Sequence, residues 1–361
     1  MKTLETKKLK TTEYSDCFEY QLVSIGTVKG WRLKALKDVR SFHNDKEYKG
    51  YPVISLNGTF EGCREKYLDV TNMDTSNVIN MSATFSCCSI KHINFGGLFD
   101  TSQVTDMSKM FRFSSNLIEV DLSSFNTEKL ENISEMFEGC EELRSISIEN
   151  WKTPRLKYIR SMFKECRNIE SINLRPLDTH NVLDFAYLFD GCIALEYVDL
   201  TGFNTSIANN MAGMFSSCVS LEYIDLSSFN SEKVRRTNNM FIGCNRLKEL
   251  DLRNFKFTQL FSCDSMFGFC SGLKRLDIRN MGLWQVGSLV HLFEGCDSLE
   301  CLIVSDDLAL ETFKNQTEIE LVKVKTDDES KITSSNIDKL LLKSRLIGSN
   351  GICLKIIRES E

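Results

Sequence analysis

The feature that most constrains this chain is a Phe-x-x-Cys motif that returns at nearly constant spacing. Phe111 begins a further unit in which Ser114 replaces the cysteine, which makes ten units in all. Successive phenylalanines lie 26 residues apart, except for a first step of 25. Such a period is typical of solenoids, in which each unit buries its apolar residues against its neighbours. The motif begins at Phe60, Phe85, Phe137, Phe163, Phe189, Phe215, Phe241, Phe267 and Phe293.

The residues that follow each cysteine predict a short strand. Leu247, Leu250 and Leu252 form the L-x-x-L-x-L pattern of a leucine-rich repeat, and the same positions are apolar in the neighbouring units. Alternation of buried and outward residues is typical of a strand with one buried face. Ten such strands would stack into a parallel sheet roughly 48 Å wide.

The second half of each unit predicts a short helix. Thr127 follows the strand and its turn, and has the side chain of a helix N-cap. The apolar residues that follow have helical spacing. We therefore predict an α/β leucine-rich-repeat horseshoe with a concave parallel sheet and short convex helices. The apolar positions in this unit are Leu130, Ile133, Met136, Phe137 and Cys140.

The run from Met214 to Asn230, M-F-S-S-C-V-S-L-E-Y-I-D-L-S-S-F-N, resembles the BspA-like leucine-rich-repeat proteins and the Mycoplasma-type surface repeats grouped with them. The resemblance covers about residues 53–305 and implies the leucine-rich-repeat fold. Because that family consists largely of surface or secreted adhesion and host-binding proteins, the resemblance also implies a binding function. This sequence shows no signal peptide, lipobox or wall-anchoring tail, which departs from the surface pattern.

The repeat predicts three regions. Residues 53–305 form the solenoid, and residues 1–52 form an N-terminal cap in which Tyr20 to Trp31 is strand-like. Residues 306–361 form a C-terminal cap or a small α/β appendage. Within it, the stretch from Ile319 to Val324 and the stretch from Ile352 to Ile357 have strand patterns, and Ser335 to Lys343 has a helix pattern. Either flank could instead bind a partner.

Charge and composition limit the kinds of partner and the cellular locations that we expect for this protein. The net charge of −6 does not suggest a basic surface for nucleic acid, so we expect no direct nucleic-acid binding and a protein partner, which the acidic balance favours being basic. No segment approaches the roughly 20 apolar residues of a membrane span. We expect a cytoplasmic protein, with a surface or secreted location as the alternative. The sequence does not fix the oligomeric state.

The fourteen cysteines and four histidines do not suggest a catalytic or metal site. Metal sites use close pairs of ligands, whereas these cysteines recur once per unit, so we predict a buried ladder of reduced thiols that behave as small apolar residues. Disulfides between neighbouring coils are the alternative, and Cys87 and Cys88 form a vicinal pair. The histidines fall at different positions of different units, and no cofactor-binding motif is present. We therefore expect no enzyme and no cofactor.

The candidate binding surface lies where side chains of the predicted strands point away from the core. Four aspartates would stack there about 5 Å apart and repel one another, a cost that hydrogen bonds, nearby arginines or a cationic partner must offset. They could equally be a structural consensus. Tyrosine and arginine are frequent interface anchors. The candidate residues are Tyr197, Asp199, Tyr223, Asp225, Glu249, Asp251, Arg253, Arg275, Asp277 and Arg279.

These observations predict a non-enzymatic protein-binding scaffold that holds a partner along its concave sheet, as an inhibitor or an adaptor. One alternative is a surface or secreted adhesin. A second alternative, by analogy with acidic leucine-rich inhibitors of basic enzymes, is a phage or mobile-element inhibitor of a nucleic-acid-targeting defence enzyme.

Overall fold

The computed structural model describes residues 6–36, 42–278, 281–283, 286, 288–299, 301–304, 323–325 and 352–355. The chain divides into two compact units, Met1–Asn181 and Val182–Glu361. Both contain the same repeated coil, and together they hold about nine turns of a parallel-strand β-solenoid. The predicted solenoid is therefore confirmed, whereas its α/β character is not, because the described residues contain strands and turns without helices.

The first unit begins with a five-stranded sheet in the order β1-β2-β3-β5-β4. Strands β1 (Thr6–Tyr14), β2 (Phe18–Ile25) and β3 (Val28–Ala35) pair antiparallel, and β3 pairs parallel with β5 (Tyr51–Ser55), which also pairs with β4 (Glu47–Tyr48). The predicted strand-like stretch from Tyr20 to Trp31 thus supplies parts of β2 and β3. Arg32 Nε donates to Asn57 O at 2.8 Å, and Ala35 N donates to Thr59 O at 2.9 Å. This sheet therefore satisfies carbonyl groups at the start of the coils.

Each coil from Cys63 to Cys270 contributes at most a three-residue strand after its cysteine, or after Ser114. In the first unit β6 (Tyr67–Asp69) pairs with β7 (His92–Asn94), β8 (Glu119–Asp121) pairs with β9 (Ser145–Ser147), and β10 (Ser171–Asn173) follows. The predicted continuous ten-stranded sheet is therefore wrong. In the first unit these strands pair as separate parallel ladders, β6 with β7 and β8 with β9.

The second unit contains β11 (Tyr197–Asp199), β12 (Glu249–Asp251) and β13 (Arg275–Asp277). Its C-terminal sheet has the order β12-β13-β14-β16-β15, where β14 is Cys301–Val304, β15 is Lys323–Lys325 and β16 is Ile352–Lys355. Strands β15 and β16 overlap the two strand patterns noted in the C-terminal region. The helix pattern from Ser335 to Lys343 lies outside the described residues.

The core of each coil is built from columns of identical side chains. Phe60, Phe85, Phe111, Phe137 and Phe163 stack in the first unit with ring centroids 5.3–5.5 Å apart. A second stack in the other unit has centroids 5.6–6.0 Å apart and contains Phe189, Phe215, Phe241, Phe267 and Phe293. Because one ring per coil lies against the next, the 26-residue period is the contour length of one turn of the solenoid.

The cysteines of the Phe-x-x-Cys motif form the next column, and those from Cys63 to Cys296 form no disulfide. This finding agrees with the predicted ladder of buried, reduced thiols, but they do more than fill space. Cys140 Sγ donates to Phe111 O at 3.0 Å, and Cys244 Sγ donates to Phe215 O at 3.2 Å. Ser114 Oγ makes the equivalent bond to Phe85 O at 2.7 Å. These thiols and this hydroxyl therefore bond their coils to the preceding ones.

The predicted convex helices are replaced by consecutive tight turns. Met136 N donates to Ile133 O at 3.2 Å and Cys140 N to Phe137 O at 3.0 Å, and the third residue of each turn has a positive φ, 58° at Glu135 and 72° at Gly139. These are the hydrogen bond and backbone signature of type II turns. Three-residue spacing of apolar residues therefore arises because each turn closes between residues i and i+3.

Hydrogen bonds between coils explain why turns form in place of a helix. Alternate residues of this segment point their N–H groups at the next coil. An α-helix would use those groups within the segment and would leave the neighbouring coil's carbonyls unpaired. The bonds, of 2.7–2.9 Å, run from the N–H groups of residues 133, 135, 137 and 139 to the carbonyls of residues 158, 160, 162 and 164.

The predicted N-cap role of Thr127 is also wrong. Its side chain is buried, and its Oγ1 donates to Lys152 O and accepts from Lys152 N, both at 2.9 Å. The equivalent Thr205 Oγ1 makes the same two bonds to Asn230, both at 2.8 Å. This threonine column therefore joins adjacent coils. None of the described residues form a helix that could cross a membrane.

Candidate binding surface

The candidate surface lies on the outer face of the short strands in the second unit. In β12 Leu250 points into the core, whereas Glu249 and Asp251 point outward. The same alternation places one outward residue per coil at the first strand position. We call these four residues the outer column, and they are Tyr197, Tyr223, Glu249 and Arg275.

The two tyrosines of the outer column are unusually exposed for aromatic side chains. Tyr197 is 53% exposed and Tyr223 is 61% exposed. They occupy equivalent positions of successive coils, although residues 223–225 are extended without forming a strand. Glu249 and Arg275 continue the column and are direct partners in the parallel pairing of β12 with β13. The column is therefore a row of two aromatic and two charged groups.

The aspartate column next to it has a structural role that the sequence pattern did not show. Asp225 Oδ1 accepts from Ser227 N at 2.9 Å, and Asp199 Oδ1 accepts from Thr201 N at 3.0 Å. Hydrogen bonds from the Ser227 side chain and backbone lower the pKa of the Asp225 carboxyl. Both carboxylates thus cap the turns that follow them.

Arg253 offsets part of the charge repulsion in this column. Its Nη2 lies 2.6 Å from Asp251 Oδ2, and its Nε lies 3.9 Å from Asp277 Oδ2. The hydrogen bonds that Arg253 donates to the Asp251 carboxylate raise the pKa of the Arg253 guanidinium. Two of the three offsets expected for stacked aspartates, backbone hydrogen bonds and a nearby arginine, are therefore present within the chain.

The structure does not place all ten predicted residues on the surface. Asp277 is only 4% exposed, so its carboxylate is not available to a partner. Arg279 lies outside the described residues. The outer column and Arg253 are exposed, and Asp225 and Asp251 are exposed but bonded to their own turns.

Sequence reasoning missed a charged cluster beside Tyr223. Glu222 pairs with Arg246 Nη2, and its other carboxylate oxygen lies 3.4 Å from Lys248 Nζ. Lys274 is also exposed and occupies the position of Lys248 in the next coil. These residues precede the strands. The one sequence signal for them is that charged residues recur at equivalent positions of successive units. Together with the outer column they give a surface of mixed charge.

The described residues contain no group of three or more His, Cys, Asp or Glu side chains placed to hold a metal ion. The histidines lie in separate surroundings. His43 Nδ1 lies 3.5 Å from Cys17 Sγ, His92 stacks on Tyr67 with centroids 5.5 Å apart, and His291 Nδ1 lies 3.1 Å from Glu294 Oε2.

The fold defines the class of protein as a parallel-strand repeat solenoid with a mixed-charge, aromatic outer face. Two overlapping stretches, residues 54–173 and 157–281, match the family described as "Mycoplasma protein of unknown function, DUF285". The matches span more than half of the chain, so the protein belongs to this family. No curated protein and no solved structure matches the chain.

Proposed function

We propose that this protein is a non-enzymatic scaffold that binds a protein partner through the outer column of its second unit. The observation that carries the proposal is the pair Tyr197 and Tyr223, each more than half exposed at equivalent positions of adjacent coils. Exposed tyrosines next to arginines are the side chains most often found as energetic anchors of interfaces. Arg275 lies two coils beyond Tyr223 in the outer column, and Arg253 follows the strand of the coil between them.

The rigidity of the coils supports this proposal. The backbone below the outer column is fixed by hydrogen bonds between coils, and the phenylalanine stack lies behind it. A surface that is ordered before binding loses less conformational entropy on association. The aspartates that cap the following turns also reduce this entropy loss, because they hold those turns in place before binding.

The test compares two double variants with the wild type. The first double variant, Tyr197→Ala with Tyr223→Ala, removes the proposed anchors. The second, Phe261→Ala with Phe269→Ala, is the matched control because it removes two exposed aromatic side chains from the turn segments of the same unit. Partners captured from lysate of the source cell are identified by mass spectrometry, and the purified partner is titrated by calorimetry.

We expect the tyrosine variant to bind the purified partner at least ten times more weakly and the phenylalanine variant to bind within about twofold of wild type, because loss of a central anchor costs about 2 kcal/mol or more. Circular dichroism should show that both variants are folded. The proposal fails if both variants bind like wild type or if only the phenylalanine variant loses binding.

A further inference from the structure

One pair of cysteines is set apart from the rest of the cysteine column. Cys63 and Cys88 belong to the first two coils, and the next coil has Ser114 at this position. The following column member, Cys140, lies two coils beyond Cys88. A disulfide between Cys63 and Cys88 would therefore have no thiol at the same position of the next coil that could attack it.

The backbone holds this pair side by side. Gly62 N donates to Ser86 O at 2.9 Å, and Ser89 N donates to Cys63 O at 2.8 Å, so hydrogen bonds between the two coils lie on both sides of the pair. Neighbouring chains paired in this way lie about 4.8 Å apart. Disulfides span Cα separations of about 4.4–6.8 Å. The two coils thus need no rearrangement to accept a disulfide here.

Cys63 is more accessible to a reagent in solution than the buried thiols of the column. Cys63 is partly exposed, and a side-chain carbon added at its neighbour Gly62 would meet no atom within 4 Å. Cys140 and Cys244, in contrast, are completely buried. Cys296, at the far end of the column, is also partly exposed, but burial raises the pKa of its thiol to about 12. An external reagent can therefore approach Cys63 as a thiolate far more readily than these three.

Hydrogen bonding favours the thiolate form of Cys63. The Cys88 thiol and the Glu65 backbone N–H lower the pKa of Cys63 to about 6. The pKa of Cys88 is raised by the same hydrogen bond and by burial. Cys88 Sγ also lies 3.0 Å from Phe60 O, so its single proton can be donated either to that carbonyl or to Cys63. The partly exposed sulfur is thus the nucleophile, and the buried one is placed to react second.

We propose that Cys63 and Cys88 are a reversible dithiol–disulfide site that reacts with low-molecular-weight disulfides. The Cys63 thiolate attacks one sulfur of the small disulfide, whose S–S bond breaks as one small thiolate leaves. Cys88 then loses its proton to water and attacks Cys63 Sγ, which forms the bond between the coils and releases the second small thiolate. Two protein thiols are oxidised by two electrons, and one small disulfide is reduced to two thiols.

The probe for this site is oxidised glutathione, added to the full-length native protein. After acid quenching, free thiols are blocked with N-ethylmaleimide, and tryptic peptides are analysed by mass spectrometry. Because Cys87 and Cys88 fall on one tryptic peptide, the experiment is carried out on Cys87→Ser as well as on the wild type. We expect both proteins to form a Cys63–Cys88 link that dithiothreitol reverses.

Two variants test the order of the steps. Cys88→Ser should accumulate a glutathione mixed disulfide on Cys63, and Cys63→Ser should form neither the link nor that adduct. Serine at position 88 is expected to be tolerated because Ser114 already makes the column's hydrogen bond to the preceding phenylalanine carbonyl. Thermal melts of both variants establish that they are folded, and Cys244→Ser is the buried control that should leave the link unchanged.

The rate at which iodoacetamide alkylates Cys63 gives a second readout. In the wild type the midpoint should lie below the usual cysteine range, and in Cys88→Ala it should move upward because the thiol that donates a hydrogen bond to the Cys63 thiolate is removed. The proposal is overturned if Cys63 reacts with glutathione no faster than Cys244, or if Cys87→Ser forms no Cys63–Cys88 link.

Discussion

At the scale of single residues, the polar side chains that first suggest chemistry mostly bond the backbone. The Asp225 carboxylate receives the Ser227 N–H, and the Cys244 thiol bonds the Phe215 carbonyl. A solenoid of tight turns leaves many backbone groups without a partner inside their own segment, and side chains at fixed positions of the repeat supply those partners. Columns whose side chains bond the backbone therefore keep nearly the same residue type from coil to coil. The outer column, in contrast, has a different residue type in most coils.

Asp106 differs from Asp225 because its carboxyl group is buried. Its Oδ1 accepts from Ser108 N at 2.9 Å, in a position that Asn80 and Asn132 fill in the adjacent coils. Burial raises the pKa of the Asp106 carboxyl, and hydrogen bonds from Ser108 oppose that effect only in part. The ionised form thus costs stability in the folded state.

We expect Asp106→Asn to raise the free energy of unfolding at pH 7. A folded-state pKa above the unfolded value means that the wild type pays a penalty above that pKa, and protonation removes the penalty as the pH falls. The difference between variant and wild type should therefore shrink toward zero below about pH 4, near the unfolded pKa. Urea titrations between pH 3 and pH 7 measure this, and a variant less stable than wild type at pH 7 would contradict it.

At the scale of the coil segments, the left-handed residues of the turns decide the structure. Among the described residues, fourteen other than glycine have a positive φ, and Glu135 and Ser217 are two of those in the coil turns. Each costs roughly 1–2 kcal/mol relative to right-handed backbone. Hydrogen bonds between coils offset that cost, since the N–H groups of these residues donate to the next coil: Glu135 to Arg160 O, and Ser217 to Ile242 O at 2.7 Å.

Substitutions at two glycines in these turns allow the cost of backbone strain to be measured with and without a steric clash. A side-chain carbon on Gly213 (φ +61°) would lie 2.5 Å from Tyr187 Cδ1, whereas on Gly243 (φ +73°) it would meet Ser217 Cα at an ordinary 3.6 Å. We expect Gly213→Ala to lower the free energy of unfolding by about 2–4 kcal/mol and Gly243→Ala by about 1 kcal/mol, because only the former adds a clash. Chemical denaturation measures both, and equal losses would show that the Tyr187 ring moves aside.

At the scale of the whole molecule, neighbouring coils within each compact unit contact one another, so the stability of a unit accumulates as a sum of nearest-neighbour terms. The phenylalanine stacks are a large part of those terms. Phe215 is fully buried, and its ring centroid lies 5.6 Å from those of both Phe189 and Phe241.

We expect Phe215→Ala to lower the free energy of unfolding by about 3–5 kcal/mol, because it leaves a cavity between two coils. Phe261→Ala, which truncates a side chain that is 72% exposed, should change it by less than about 0.5 kcal/mol. Hydrogen exchange should show the loss of protection centred on the coils that contain Phe189 and Phe241. Uniform loss across all described coils would instead indicate a single cooperative unit.

The sequence by itself determined the solenoid, the coil length and the buried columns, because a side chain that recurs every 26 residues can be buried only if each unit stacks on the next. It also identified the exposed tyrosines of the candidate surface, since outward positions alternate with buried ones in any strand. The tertiary structure decided the rest. Turns replace the predicted helices, and Asp225 and Thr127 bond the backbone, because N–H and carbonyl groups of adjacent coils satisfy one another at a distance that no local pattern records.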